Sequence, residues 1–156
     1  MSAPPLILAV EDNDDDAFVI QKTFKKAAVL NRLRVLSTGE QAIAYFKGDA
    51  PFADRSLHPL PKLLLLDLKL PGIDGFEVMR WLRQQPQFAA LRIVVVTSST
   101  DARDLSRAFD CGANSFLIKP VDFVRLAQFS EAISGCWVWV DQPDAPPPDA
   151  PAHLAA

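Results

Sequence analysis

The chain has 156 residues, 49% of them apolar and 22% charged, with a formal net charge of −3. This suits one soluble domain with a proper core and argues against general attraction to nucleic-acid phosphates. No apolar stretch approaches a membrane span, Met1-Ser2-Ala3-Pro4-Pro5 lacks the make-up of a signal peptide, and Cys111 and Cys136 fit neither a metal site nor a disulfide framework, so a cytoplasmic protein with reduced thiols is expected.

Short leucine-rich or β-branched runs alternate with longer segments of helical period, the pattern of successive βα units around a parallel sheet. The first strand is expected at about Leu6 to Val10, running into Glu11-Asp12. Its helix starts near Asp14 as N-cap and buries Ala17, Ile20, Phe24 and Ala27. Asp15 and Asp16 fall in the first turn, where the helix dipole favours them, and this accounts for Asp14, Asp15 and Asp16 without a metal role. A second strand at about Arg34 to Leu36 precedes a helix from about Gly39 to Lys47 with Ala42, Ile43 and Phe46 inward.

The stretch Gly48 to Lys62, with Pro51, Pro59 and Pro61, has no period and reads as a functional surface or tolerated insertion, with His58 solvent-exposed. The third strand, about Leu63 to Leu66, runs into Asp67. Asp74 caps a third helix that turns Val78, Met79 and Leu82 inward and is closed by Pro86. The fourth strand, Arg92 to Val96, ends at Thr97-Ser98, and its helix, about Ala102 to Cys111, stops at Gly112. The fifth strand, about Ser115 to Ile118, runs into Lys119-Pro120. A last helix from about Asp122 to Val140 is apolar nearly all round, which marks it as buried on more than one side, with Trp137 and Trp139 as candidate anchors of a partner or homodimer interface. Residues 141–156, rich in proline and alanine, are expected to form a disordered tail, leaving 1–140 as the folded domain.

In an open parallel sheet the carboxyl ends of the strands build the binding crevice. Here those ends supply Glu11, Asp12, Asp67, Thr97 and Lys119. One lysine cannot balance three carboxylates, so a hard divalent cation is the simplest compensation, and Mg2+ fits a site of one or two carboxylates completed by water and phosphate oxygens. Asp67 can then attack phosphorus as a carboxylate nucleophile. The metal and Lys119 neutralise charge on the phosphoryl oxygens, Thr97 donates to one of them, and Glu11 holds metal-bound water. Lys69 and Ser99 flank the site and can tune the lifetime of the phosphoryl group.

Glu11-Asp12, Asp67 followed by Leu-Lys-Leu-Pro-Gly-Ile-Asp-Gly, Thr97-Ser98, Gly112-Ala113 and Lys119-Pro120 stand in order at strand ends. In these residues the chain resembles the receiver domains of bacterial two-component response regulators over about Leu6 to Val140. The resemblance implies an α/β fold: a doubly wound (βα)5 domain with five parallel strands in the flavodoxin-like order 2-1-3-4-5. It implies phosphorylation of Asp67 by a histidine kinase, with Mg2+ held by Asp12, Asp67 and the Lys69 backbone carbonyl. Thr97 and Phe116 are then expected to rearrange together on phosphorylation, and Lys119-Pro120 to be a cis peptide.

In the family the fourth helix, fifth strand and fifth helix form the usual dimer face, which favours a homodimer here. The long loop and tryptophan-rich end resemble stand-alone regulators that partner phytochrome-type kinases. The expectation is a single-domain phosphoryl acceptor that catalyses only its own phosphorylation and dephosphorylation, without DNA binding or membrane attachment. A phosphorylation-independent adaptor and an aspartyl-nucleophile phosphohydrolase are the alternatives. The phosphohydrolase is disfavoured because Lys69 stands where such enzymes carry a second carboxylate.

Overall fold

The structure, a computed structural model, describes residues 6–26 and 32–119. The expected last helix with Trp137 and Trp139, the Lys119-Pro120 peptide bond and the tail lie outside the described residues, as does Ala27. Five strands, β1 (Leu6–Val10), β2 (Arg32–Leu36), β3 (Leu63–Leu66), β4 (Arg92–Thr97) and β5 (Ser115–Ile118), form one parallel sheet in the order β2-β1-β3-β4-β5. Helices α1 (Asp14–Lys26), α2 (Gly39–Lys47), α3 (Gly75–Arg83) and α4 (Ala102–Asp110) connect them, with a 3₁₀ turn at Pro86–Phe88.

The expected doubly wound arrangement is present. Side chains alternate along each strand, so Leu8, Val10, Leu64, Leu66, Ile93 and Val95 face one side with residues of α2, α3 and α4. Ile7, Ala9, Leu63, Leu65, Val94 and Val96 face the other, with Ile20 and Phe24 of α1. A parallel sheet covered on both faces is why its strands read as unbroken apolar runs. All four leucines of β3 are buried, each contributing about 1.5–3 kcal/mol by transfer from water.

Several local readings shift. β2 starts two residues before the expected boundary, because an edge strand carrying Arg32 and Arg34 shows no apolar run. The cap of α1 is Asn13 rather than Asp14: Asn13 Oδ1 accepts the Asp16 N–H at 2.9 Å. In α2, Tyr45 is buried where Ile43 was expected, and Ile43 is half-buried. Helix α3 ends at Arg83, ahead of Pro86, which opens the 3₁₀ turn. Helix α4 closes as expected, with Gly112 at φ 114 and reciprocal bonds from Gly112 N to Phe109 O and Ala113 N to Ala108 O, both 3.0 Å.

The irregular stretch after α2 is tied down by side chains. Arg55 donates to the Tyr45 and Phe46 carbonyls at 2.8 and 2.9 Å, satisfying the C-terminal end of α2. The Tyr45 hydroxyl donates to Pro59 O at 2.8 Å, and Arg34 of β2 donates to Leu57 O at 3.1 Å. His58 is half-buried rather than exposed, its ring edge-on to Tyr45 and Phe52 and its Nδ1 2.5 Å from Arg34 Nη1.

Arg83 performs a similar task at the turn before β5. Its guanidinium donates to Gly112 O (2.7 Å from Nη2), Phe88 O (3.0 Å), Ala89 O (3.2 Å) and Asn114 Oδ1 (3.3 Å), joining α3, the 3₁₀ turn and the turn before β5. Burial holds the guanidinium below its ordinary pKa. Arg83→Ala is therefore expected to cost about 2–4 kcal/mol, because several part-buried carbonyls lose their donor at once. Arg83→Lys should recover little, since an ammonium cannot reproduce the planar fork. Urea unfolding monitored by circular dichroism checks this as a lower midpoint at unchanged slope; an unmoved midpoint contradicts it.

Candidate functional site

Hydrogen bonding continues one residue past the ends of several strands. Glu11 N donates to Leu36 O (2.9 Å), Asp67 N to Val10 O (3.1 Å) and Lys119 N to Thr97 O (2.8 Å). These bonds fix the backbone of Glu11, Asp67 and Lys119 in a row along the carboxyl edge of the sheet. Glu11 is 3% exposed and Asp67 6%, while Asp12 is open to solvent.

One carboxylate oxygen from each of Glu11, Asp12 and Asp67 lies within 4.8 Å of the others. At that separation two unit charges repel by roughly 3–4 kcal/mol at an effective dielectric constant of about 20. The compensation present is the Lys119 ammonium, 2.5 Å from Glu11 Oε1, 3.0 Å from Asp67 Oδ2 and 2.9 Å from Asp16 Oδ2. Burial alone would lower the pKa of Lys119, but hydrogen bonds to Glu11, Asp16 and Asp67 win and hold it above its ordinary value. Burial pushes the Glu11 carboxyl up to about 7, against the opposing pull of Lys119 and the Asn13 N–H and with help from the Asp67 charge.

Four carboxylates against one ammonium leave an excess of negative charge at this edge, with Glu11 and Asp67 buried in it. The three that cluster are hard oxygen donors, so they fit a divalent cation of the Mg2+ or Mn2+ type. Glu11, Asp12 and Asp67 are the groups that could hold it.

The loop after β3 is held from two sides. Asp67 Oδ1 accepts the Lys69 N–H at 3.2 Å, and Gly75 N donates to Leu68 O at 3.0 Å. A Cβ on Gly75 would stand 2.3 Å from Asp67 O, so the first residue of α3 rests directly on the Asp67 backbone. From α2, Glu40 Oε1 accepts the Ile73 N–H at 2.7 Å.

Thr97, at the end of β4, is fully buried, and its Oγ1 accepts the Ser99 N–H at 3.1 Å. Ser99 Oγ donates to Asp104 Oδ2 at 2.8 Å, which links this loop to the first turn of α4. Phe116 of β5 is half-buried and stacks edge-on against Phe109 of α4, ring centroids 5.8 Å apart. Lys69 points no buried group inward; its side chain is exposed.

The carboxylates and Lys119 thus converge as the sequence indicates, and Asp16 joins them, although by sequence helix-end electrostatics alone accounts for it. Its partner is 103 positions away, which no local pattern could disclose. The one available signal was surplus: with Asn13 as cap, three successive aspartates exceed what a helix N-terminus needs.

Comparison with known proteins gives a consistent picture. The family model described as response regulator receiver domain matches residues 7–131. The chain is similar to the probable methanogenesis regulatory protein FilR2 of Methanothrix harundinacea, 36% identical over 135 residues that cover 86% of this chain and 84% of that protein. Among solved structures it is similar to the phosphorylated cyanobacterial phytochrome response regulator RcpA (29% identity, TM-score 0.73, covering 86% of this chain and 94% of that one). It is also similar to the Mn(2+)-bound form of response regulator Rcp1 (28% identity, TM-score 0.72, covering 92% and 99%).

Proposed function

This chain belongs to the response regulator receiver domain family, and from that premise we propose that Asp67 accepts a phosphoryl group from a sensor histidine kinase, with Mg2+ at the carboxylate cluster. The observation that carries this reading is the Lys119 ammonium seated on Asp67 Oδ2 and Glu11 Oε1, two of the three converging carboxylates. An adaptor that never handled phosphate would have no use for so costly an arrangement.

In the transfer, an Asp67 carboxylate oxygen attacks phosphorus. An O–P bond forms while the bond from phosphorus to the donor atom, an imidazole nitrogen of the kinase, breaks with its electron pair going to the imidazole. Bound Mg2+ supplies charge neutralisation on the phosphoryl oxygens. Lys119 contributes a second positive charge to those oxygens from the β5 side. The Thr97 oxygen already accepts the Ser99 N–H, which orients its hydroxyl to donate.

The output surface is α4 and β5. Among the residues of α4 only Ala108 is buried. The helix is otherwise fastened by the Phe109–Phe116 contact, Arg107 over the Phe76 ring at 3.9 Å and the Ser99–Asp104 bond, so it can be repositioned at small cost. Thr97 and Phe116 acting together on phosphorylation, and a homodimer through this face and the segment beyond it, belong to the same proposal. Similarity to a phytochrome response regulator supports a phytochrome-type kinase as partner. No helix among the described residues is long and apolar enough to cross a membrane.

Incubation with acetyl phosphate and Mg2+, followed by intact mass measurement and peptide mapping, tests the reading. The expected result is one added phosphoryl group on Asp67, absent when chelator replaces Mg2+. An unmodified protein, or a phosphoryl group on another residue, rejects it.

A further inference from the structure

Lys119 has three N–H donors and three carboxylate partners, on three separate elements. Glu11 and Asp67 belong to the cluster that takes the cation. Asp16 is not part of it: it stands in the first turn of α1 and meets the ammonium at 2.9 Å. Its side chain is 42% exposed, against 1% for Glu11 and 8% for Asp67, so of the three it is the least costly to leave charged.

Extending the phosphoryl-acceptor reading, on which this rests, we propose that Asp16 is a positioning residue for Lys119. It anchors the ammonium at the rim of the site, so that Glu11 and Asp67 are released to the divalent cation while Lys119 stays within reach of the phosphoryl oxygens. Without Asp16 the ammonium has only Glu11 and Asp67 to bind, and it settles over the very carboxylates the cation requires. Lysine and cation then compete more strongly, and the lysine is displaced rather than held when the cation binds.

Asp15 offers a matched control. It occupies the same helical turn, carries the same charge and complements the same helix dipole, but it makes no contact with Lys119. The Mg2+ dissociation constant, measured by isothermal titration calorimetry on the full chain, is expected to rise about five- to tenfold in Asp16→Asn and less than twofold in Asp15→Asn. Asp16→Glu, which keeps the charge and can still reach the ammonium, should recover most of the loss. In a Lys119→Met background the Asp16→Asn effect should shrink to that of Asp15→Asn. At saturating Mg2+, Asp16→Asn should also take up phosphoryl from acetyl phosphate about tenfold more slowly, since Lys119 is no longer held in place.

Equal effects of Asp16→Asn and Asp15→Asn overturn the proposal, as does an Asp16→Asn effect that survives undiminished without Lys119. If Lys119→Met does not fold, the Asp16→Glu recovery measured against the Asp15 control decides, and no recovery overturns it. A wild-type chain that binds no Mg2+ rejects the phosphoryl-acceptor reading itself, whereas wild-type binding with an inert Asp16 rejects only the role of Asp16.

Discussion

Asp67→Asn is expected to end phosphoryl uptake altogether and, without divalent cation, to make the protein more stable. An amide oxygen is too weak a nucleophile to form the acyl phosphate, so the loss is complete rather than partial. The gain in stability comes from the same place. Asparagine keeps an oxygen to accept the Lys69 N–H, gives up one attraction to Lys119, and removes two repulsions, from Glu11 and Asp12. Lys119 keeps Glu11 and Asp16 as partners. Above about pH 8, where Glu11 is ionised, the balance favours the variant by on the order of 1–2 kcal/mol, a shift of several degrees in Tm for a domain of this size. Adding Mg2+ reverses the order, because the wild type gains binding energy that the variant largely forfeits. Thermal unfolding with chelator and with Mg2+, run beside intact mass measurement, checks both halves. A variant that melts below the wild type in chelator shows instead that the attraction of Asp67 to Lys119 outweighs its repulsion from Glu11 and Asp12.

Gly75→Ala is the most damaging single methyl group that can be added near the site. Its Cβ would stand 2.3 Å from Asp67 O and 2.8 Å from Leu68 Cα, distances at which a backbone must move because no side chain can rotate away. Either α3 lifts from the sheet, opening the core around Phe76 and Val78, or the Asp67–Leu68 peptide shifts. The expected cost is about 3 kcal/mol or more, at the upper end of overpacking penalties. Either movement also displaces the Asp67 carboxylate, so phosphoryl uptake should fall by about 100-fold even in the folded fraction. Calorimetry and acetyl phosphate kinetics test this together; wild-type stability with a wild-type rate would show that α3 yields more easily than its packing indicates.

Much of the scaffold was legible because its strands are buried on both faces. β1, β3 and β4 announce themselves as apolar runs, and α2 lies between a threonine cap and a left-handed glycine, with Thr38 Oγ1 accepting the Gln41 N–H. The site residues were legible for a related reason, as polar residues abruptly ending those runs. What sequence could not convey is pairing across distance. Asp16 reads as a helix-end charge until Lys119 is placed beside it, and Arg83 reads as a surface cation until Gly112 and Asn114 are seen to fold back upon it. The loop after α2 looked irregular because its order resides in Arg34, Arg55 and Tyr45 reaching across from other elements, and no periodicity records that.

The arginines of β2 carry one more consequence. A terminal strand exposes a row of unpaired peptide groups onto which the strand of another molecule can add, and a flat apolar edge invites that addition. Here two of the five residues on that edge are arginines, Arg32 exposed and Arg34 fastened to the loop after α2. A second copy approaching along β2 would have to bring two like charges together and break Arg34 from its moorings. The sheet therefore has a protected margin on that side, which keeps copies of the chain from fusing into a continuous, irreversible β-structure.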